Sequence, residues 1–227
     1  MYRPTPTGLA LRVRMLLLMS ILLLLVTACG APEQPKPRPL PEDRQTLNPG
    51  TYRSEEFKPS FSFTVGEGWA NEPVEASDEL LITWGESAGL GFARLQNVYK
   101  PTTTGTPNLV DAPENLIRWN QRHPYLRTSK PEPVTIGGVE GVRFDEVVAE
   151  DLPKDHLGVC GSDCVDISRL SSGSLLFILK GDKVRVIILE ELKGKTVTIG
   201  VGSPASEFDE FAPEAQKVLE SVEWKGV

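Results

Sequence analysis

Val184-Arg-Val-Ile-Ile-Leu-Glu190 is almost wholly apolar, and no other stretch limits the fold as much. A strand of that kind sends apolar side chains to both faces of its sheet, so it is expected to be central and covered on both sides. Its neighbours supply the rest of a sheet. Phe61-Ser-Phe-Thr-Val65 alternates apolar and polar residues, as a half-buried strand does. Leu80–Trp84, Gly91–Tyr99, Val134–Ile136, Val139–Phe144, Leu175–Leu179 and Thr196–Val201 read as further strands, and Gly137-Gly138 is a hairpin turn that needs positive φ. Asp111-Ala-Pro-Glu114 has the residues of a capping signature and predicts a helix running to about Arg122. Phe208, Phe211, Ala215, Val218, Leu219 and Val222 form one apolar stripe at helical spacing, with Pro213 harmless if it stands in the first turn. Short connections between these elements predict an α+β fold: a mainly antiparallel sheet of about six or more strands with two main helices packed on it.

The front of the chain is a separate matter. Arg3, Arg12 and Arg14 precede an uninterrupted apolar run, Met15–Val26, and then small residues. The run is too short for a spanning helix, which needs roughly 20 apolar residues, and suits an export signal. Val26-Thr27-Ala28-Cys29 resembles the lipobox of bacterial lipoproteins. That resemblance implies cleavage between Ala28 and Cys29, acylation of Cys29 (palmitate among the chains), and an outward-facing position on the cell membrane. One acyl chain binds a bilayer only marginally, so lasting attachment takes two or more.

Residues 1–28 hold three arginines and no acid, so the 24 basic and 31 acidic residues of the whole chain become 21 and 31 after cleavage, a net charge of −10. Nucleic acid is excluded as a partner, since its recognition needs a basic face. Pro35, Pro37, Pro39 and Pro41 mark residues 29–49 as a lipidated Cys followed by an extended spacer, with a reach of up to about 60 Å. Residues 50–227 then read as a single domain.

Three of its segments, SFSFTVGEGW, VTIGGVEGVRF and GKTVTIGVGSPASEFDEFAPEAQKVLESVEW, resemble the PsbP-like fold, the group of the photosystem II extrinsic PsbP proteins and the LpqN-like lipoproteins. The resemblance implies an α/β/α sandwich that serves as a binding or accessory module, and it brings no catalytic or ligand residues with it.

Several constellations carry possible chemistry. Cys160 and Cys164 are expected to form a disulfide in an exported chain. A redox-active pair, or a metal site shared with His156, are the alternatives. Gly85-Glu-Ser87-Ala-Gly89 matches a nucleophile elbow, but the strand-like sequence after it argues for a hairpin loop. Glu72, Glu75, Asp78 and Glu79, and again Asp145, Glu146, Glu150, Asp151 and Asp155, read as solvated acidic faces. Trp69, Trp84, Trp119 and Trp224 read as core aromatics, with a ligand pocket as the second possibility. Together these features predict a membrane-anchored, non-enzymatic module for an envelope protein partner, with no cofactor and no resident metal. A carrier of a small apolar ligand or divalent cation is the alternative, and a serine hydrolase the remote one.

Overall fold

The structure, a computed structural model, describes residues 36–101, 107–153 and 156–226. In chain order the strands are β1 (Arg38–Pro39), β2 (Gln45–Thr46), β3 (Gly50–Arg53), β4 (Phe61–Val65), β5 (Trp69–Asn71), β6 (Glu79–Trp84), β7 (Ala88–Ala93), β8 (Asn97–Lys100) and β9 (Asn108–Asp111). They continue with β10 (Leu126–Thr128), β11 (Glu132–Ile136), β12 (Val139–Val148), β13 (Cys164–Arg169), β14 (Leu175–Leu179), β15 (Asp182–Leu192), β16 (Lys195–Pro204) and β17 (Glu223–Trp224). Two helices, α1 (Leu116–Gln121) and α2 (Phe208–Glu220), complete the set.

Nine strands form the main sheet, in the order β10-β12-β15-β16-β7-β6-β5-β2, with β11 also on β12. Every pairing in it is antiparallel. The run 184–190 lies in β15, third from one end, and residues 186–189 are buried on both faces as expected. On one side Ile187 and Leu189 meet a core shared with α2 and with a second sheet, β1-β3-β4-β17. Phe61 of β4 packs against Phe92 of β7 with ring centroids 4.5 Å apart, and Phe211 of α2 lies between Trp69 and Trp84 at 5.8 and 5.9 Å. On the other side Val186 and Ile188 meet Leu116 of α1 and Phe144, while Val165 and Ile178 of the β13–β14 hairpin pack with Val148. The layers are therefore helix with sheet on one face, and a hairpin with a six-residue helix on the other.

Four expectations are corrected. The spacer read at 29–49 is folded from Pro37 onward: Arg38 and Pro39 pair with Tyr52 and Arg53, Gln45 and Thr46 pair with Asn71 and Ala70, and Leu47 is core. Asp111 does not cap α1, because its backbone lies in β9 opposite Asn97; Asn115 does, accepting from the Arg118 N–H at 2.7 Å. Gly91–Tyr99 is not one strand. Arg94 leaves the sheet with its N–H on the Asp78 carbonyl, and β8 pairs with β9 instead. Pro213 is the sixth residue of α2, past the first turn, where its ring stands on the exposed side.

Gly137 and Gly138 make the β11–β12 turn with φ of +56° and +80°. A Cβ on Gly137 would stand 2.6 Å from Trp224 Cδ1, so this turn needs glycine for space as well as for conformation.

Candidate functional site

Alternation gives the second face of the main sheet an unusual surface. In β7 Leu90 and Phe92 point into the α2 core, which leaves Gly89 and Gly91 on the opposite face; in β16 Val197, Ile199 and Val201 do the same and leave Thr198, Gly200 and Gly202. Antiparallel register then sets Gly200 beside Gly91 and Gly202 beside Gly89. Four glycines on two adjacent strands make a floor of bare backbone.

Conformation requires none of them, and crowding bears on Gly202 alone. None of the four has positive φ. A Cβ at Gly89 or Gly91 would stand 3.5 or 3.6 Å from Leu81 Cδ1, at Gly202 3.3 Å from Val184 Cγ2, and at Gly200 it would meet nothing within 4 Å. Glycine inside a strand is worth about 0.5–1 kcal/mol less than alanine, and it marks places where something approaches the backbone closely. Above this floor lies a cavity of about 290 Å³. Its roof is the β13–β14 hairpin, through Ile167, Leu170, Leu176 and Ile178.

Polar contacts hold the roof down. Asp78 accepts from the Ser171 hydroxyl at 2.7 Å and from its N–H at 3.0 Å, and the Ser172 hydroxyl donates to Glu79. The Ser168 hydroxyl donates to the Asn97 carbonyl at 2.7 Å. Cys160 and Cys164 are joined, with Cα atoms 6.1 Å apart, at the entrance to β13. Asp166 accepts from the N–H groups of Val159 and Cys160 and so ties the disulfide loop to the strand.

Glu146 sits at the wall. Phe144, Glu146 and Val148 alternate inward along β12, and Glu146 is only 1 % exposed. Its Oε1, like Thr198 Oγ1, has no hydrogen-bond partner among the described residues, and both side chains line the cavity. Burial pushes the Glu146 carboxyl up to about 8, so it holds its proton at neutral pH. Asp182, also in the lining, is raised by burial too. Among the described lining residues there is no Lys, Arg or His.

The residues singled out in the sequence fall into place around this. Ala28 and Cys29 lie outside the described residues. The acidic clusters are not solvated faces throughout: Asp78, Glu79 and Glu146 are buried. Asp145 is a paired group on the opposite face. Burial raises its carboxyl, but Arg185 at 2.8 Å and Lys183 at 3.1 Å outweigh that and hold it below the usual range. The four Trp residues pack in the two cores and none is among the described residues of the cavity wall. Ser87 borders the cavity in the β6–β7 turn and donates to Glu207 at 2.6 Å. His123 and His156 instead flank Tyr125 edge-to-face. Burial, with the neighbouring His156 as the lesser cause, lowers His123 to about 4. His156 Nε2 lies 2.7 Å from the Cys164 carbonyl oxygen, and the two sulfurs it was to share a metal with are bonded to each other. Glu146 was missed as a site residue because it was counted with its acidic neighbours. The signal for it was its place in the F-D-E-V-V alternation.

No protein-family model and no curated protein matches the sequence. Among solved structures the chain is similar to the cyanobacterial PsbP (CyanoP) of Synechocystis sp. PCC 6803, at 11% identity over 78% of this chain and 94% of that one, with a TM-score of 0.41. It is also similar to LpqN of Mycobacterium tuberculosis, described as involved in cell envelope biogenesis, at 10% identity over 80% of this chain and 90% of that one, with a TM-score of 0.35.

Proposed function

We propose that this chain is an outward-facing lipoprotein domain that binds a small, largely apolar ligand between its glycine floor and its hairpin roof. One observation carries the reading: four glycines, three of which neither backbone conformation nor neighbouring atoms call for, lie directly under a cavity. The cavity stands at the small end of ligand sites, which run from about 300 Å³ upward. Binding rather than catalysis is supported by Ser87, whose hydroxyl is held by a carboxylate and not by a histidine.

Gly200→Val tests it. The side chain enters open space and replaces glycine with a strong strand former, so the ligand-free domain gains about 0.5–1 kcal/mol, or roughly 1–4 °C in Tm. Native mass spectrometry of the exported wild-type protein is expected to show an adduct that Gly200→Val lacks. A variant that keeps the adduct removes the ligand reading.

The membrane position rests on Cys29. Cys29→Ser is expected to leave the protein without acyl mass and out of the membrane fraction; an unchanged distribution would return Met15–Val26 to the role of anchor. A protein partner keeps one specific observation in its favour. Phe177 and Leu179 lie two residues apart on the outer face of β14, each 43% exposed. Cross-linking through that face would identify such a partner.

A further inference from the structure

The lining of the cavity says more than that it is apolar. Its titratable groups among the described residues are Glu79 from β6, Glu146 from β12 and Asp182 from β15, all acidic. From α1 the lining takes Asn120, whose amide donates to the Leu116 carbonyl; the hairpin contributes only apolar side chains. Glu79 is engaged by the Ser172 hydroxyl and Asp182 is half-buried. Glu146 is the deeply buried acid, and its Oε1 is unpartnered among the described residues. A carboxylate or phosphate placed here would face three acids and no cation. A metal ion is not favoured either. Among the described residues the constellation compact enough for three ligands is Cys160, Cys164 and Asp166, which includes no residue of the cavity.

We infer that the ligand is a small apolar amine, its protonated nitrogen seated against Glu146 and its hydrocarbon part between the glycine floor and the hairpin roof. An apolar cavity of ~150 Å³ holds benzene, so one about twice that size takes an aromatic ring with a short side arm. The inference rests on the ligand-binding reading above and adds the head group to it. It also fixes a proton balance. Glu146 is protonated at pH 7, and the ammonium group binds the carboxylate, so one proton leaves Glu146 for solvent as each amine enters.

The test is calorimetric titration of the full-length protein, cleared of adducts and held in lipid nanodiscs, with empty nanodiscs as the blank. The probes are 2-phenylethylamine, 2-phenylethanol and phenylacetate, which share a ring and differ in head group. The amine is expected to bind at least about tenfold more tightly than the alcohol, as a charge-assisted bond does over a neutral one, and phenylacetate is expected not to bind. At pH 7, paired titrations in buffers of different ionisation enthalpy should show close to one proton released per amine. Glu146→Gln should abolish both the release and the preference for amine while leaving the alcohol bound. Equal or tighter binding of the alcohol or of phenylacetate overturns the inference and leaves the ligand reading standing, as does amine binding that releases no proton. If no probe binds, the ligand reading itself falls.

Discussion

Glu146→Gln is expected to abolish a loss of stability that the wild-type domain suffers between pH 6.5 and pH 8. The carboxyl titrates at 4.5 when exposed and at about 8 in the fold, so the native state holds a proton there that the unfolded chain has released. Stability from this group is complete below pH 4.5 and drains away as pH rises to 8. His123 works in the other direction. Its folded value of about 4 lies below 6.5, so its contribution is complete above pH 6.5 and is lost as pH falls to 4. Between 4.5 and 6.5 the two slopes oppose each other and the profile is nearly level. Above 6.5 only Glu146 is left. One proton across that interval, at about 1.4 kcal/mol per pH unit, amounts to a fall of roughly 2 kcal/mol. Urea unfolding at pH 6, 7, 8 and 9 measures it. Wild-type and Glu146→Gln curves that ran parallel would show that the carboxyl is not buried as described.

Phe211→Ala should be the most damaging single truncation, at about 3–5 kcal/mol. The side chain is fully buried, and its ring fills the space between Trp69 and Trp84. Neither indole can collapse onto an alanine. Trp69 sits in a three-residue strand paired on both sides, and Trp84 pairs with both Trp69 and Ala88. Against a total stability of about 5–15 kcal/mol, such a loss leaves a marginal domain. Phe177→Ala, at a ring that is 43% exposed, is the control and should fall under about 1 kcal/mol. A similar result at Phe211 would mean that α2 does not carry the core.

What the sequence made legible was local. The run in β15, the Gly137-Gly138 turn and the α2 stripe are patterns within about fifteen residues, and period or turn chemistry alone exposes them. The start of α1 was misread because Asp111 and Asn115 are both good caps, and only the pairing of β9 with β8 decides between them. The site lay further out of reach. Gly89 and Gly91 alternate in β7, Gly200 and Gly202 in β16, and each pair by itself signals only a weakened strand. They become a floor when register places one pair on the other. Glu146 could have been found from its apolar phase in β12, but its charge placed it with Asp145, whose side chain leaves the strand on the opposite face.

The join between β7 and β16 also bears on how the domain assembles. It closes the longest loop of any junction in the main sheet, and two of its facing pairs are glycine on glycine, a residue with little strand preference. Pairings of that reach are slow to form. The floor of the cavity is thus completed late, after the hairpins on either side of it, and a ligand meets no receptor before then. A ligand of the kind proposed would not hasten folding. It would act afterwards, by slowing the escape from the native state.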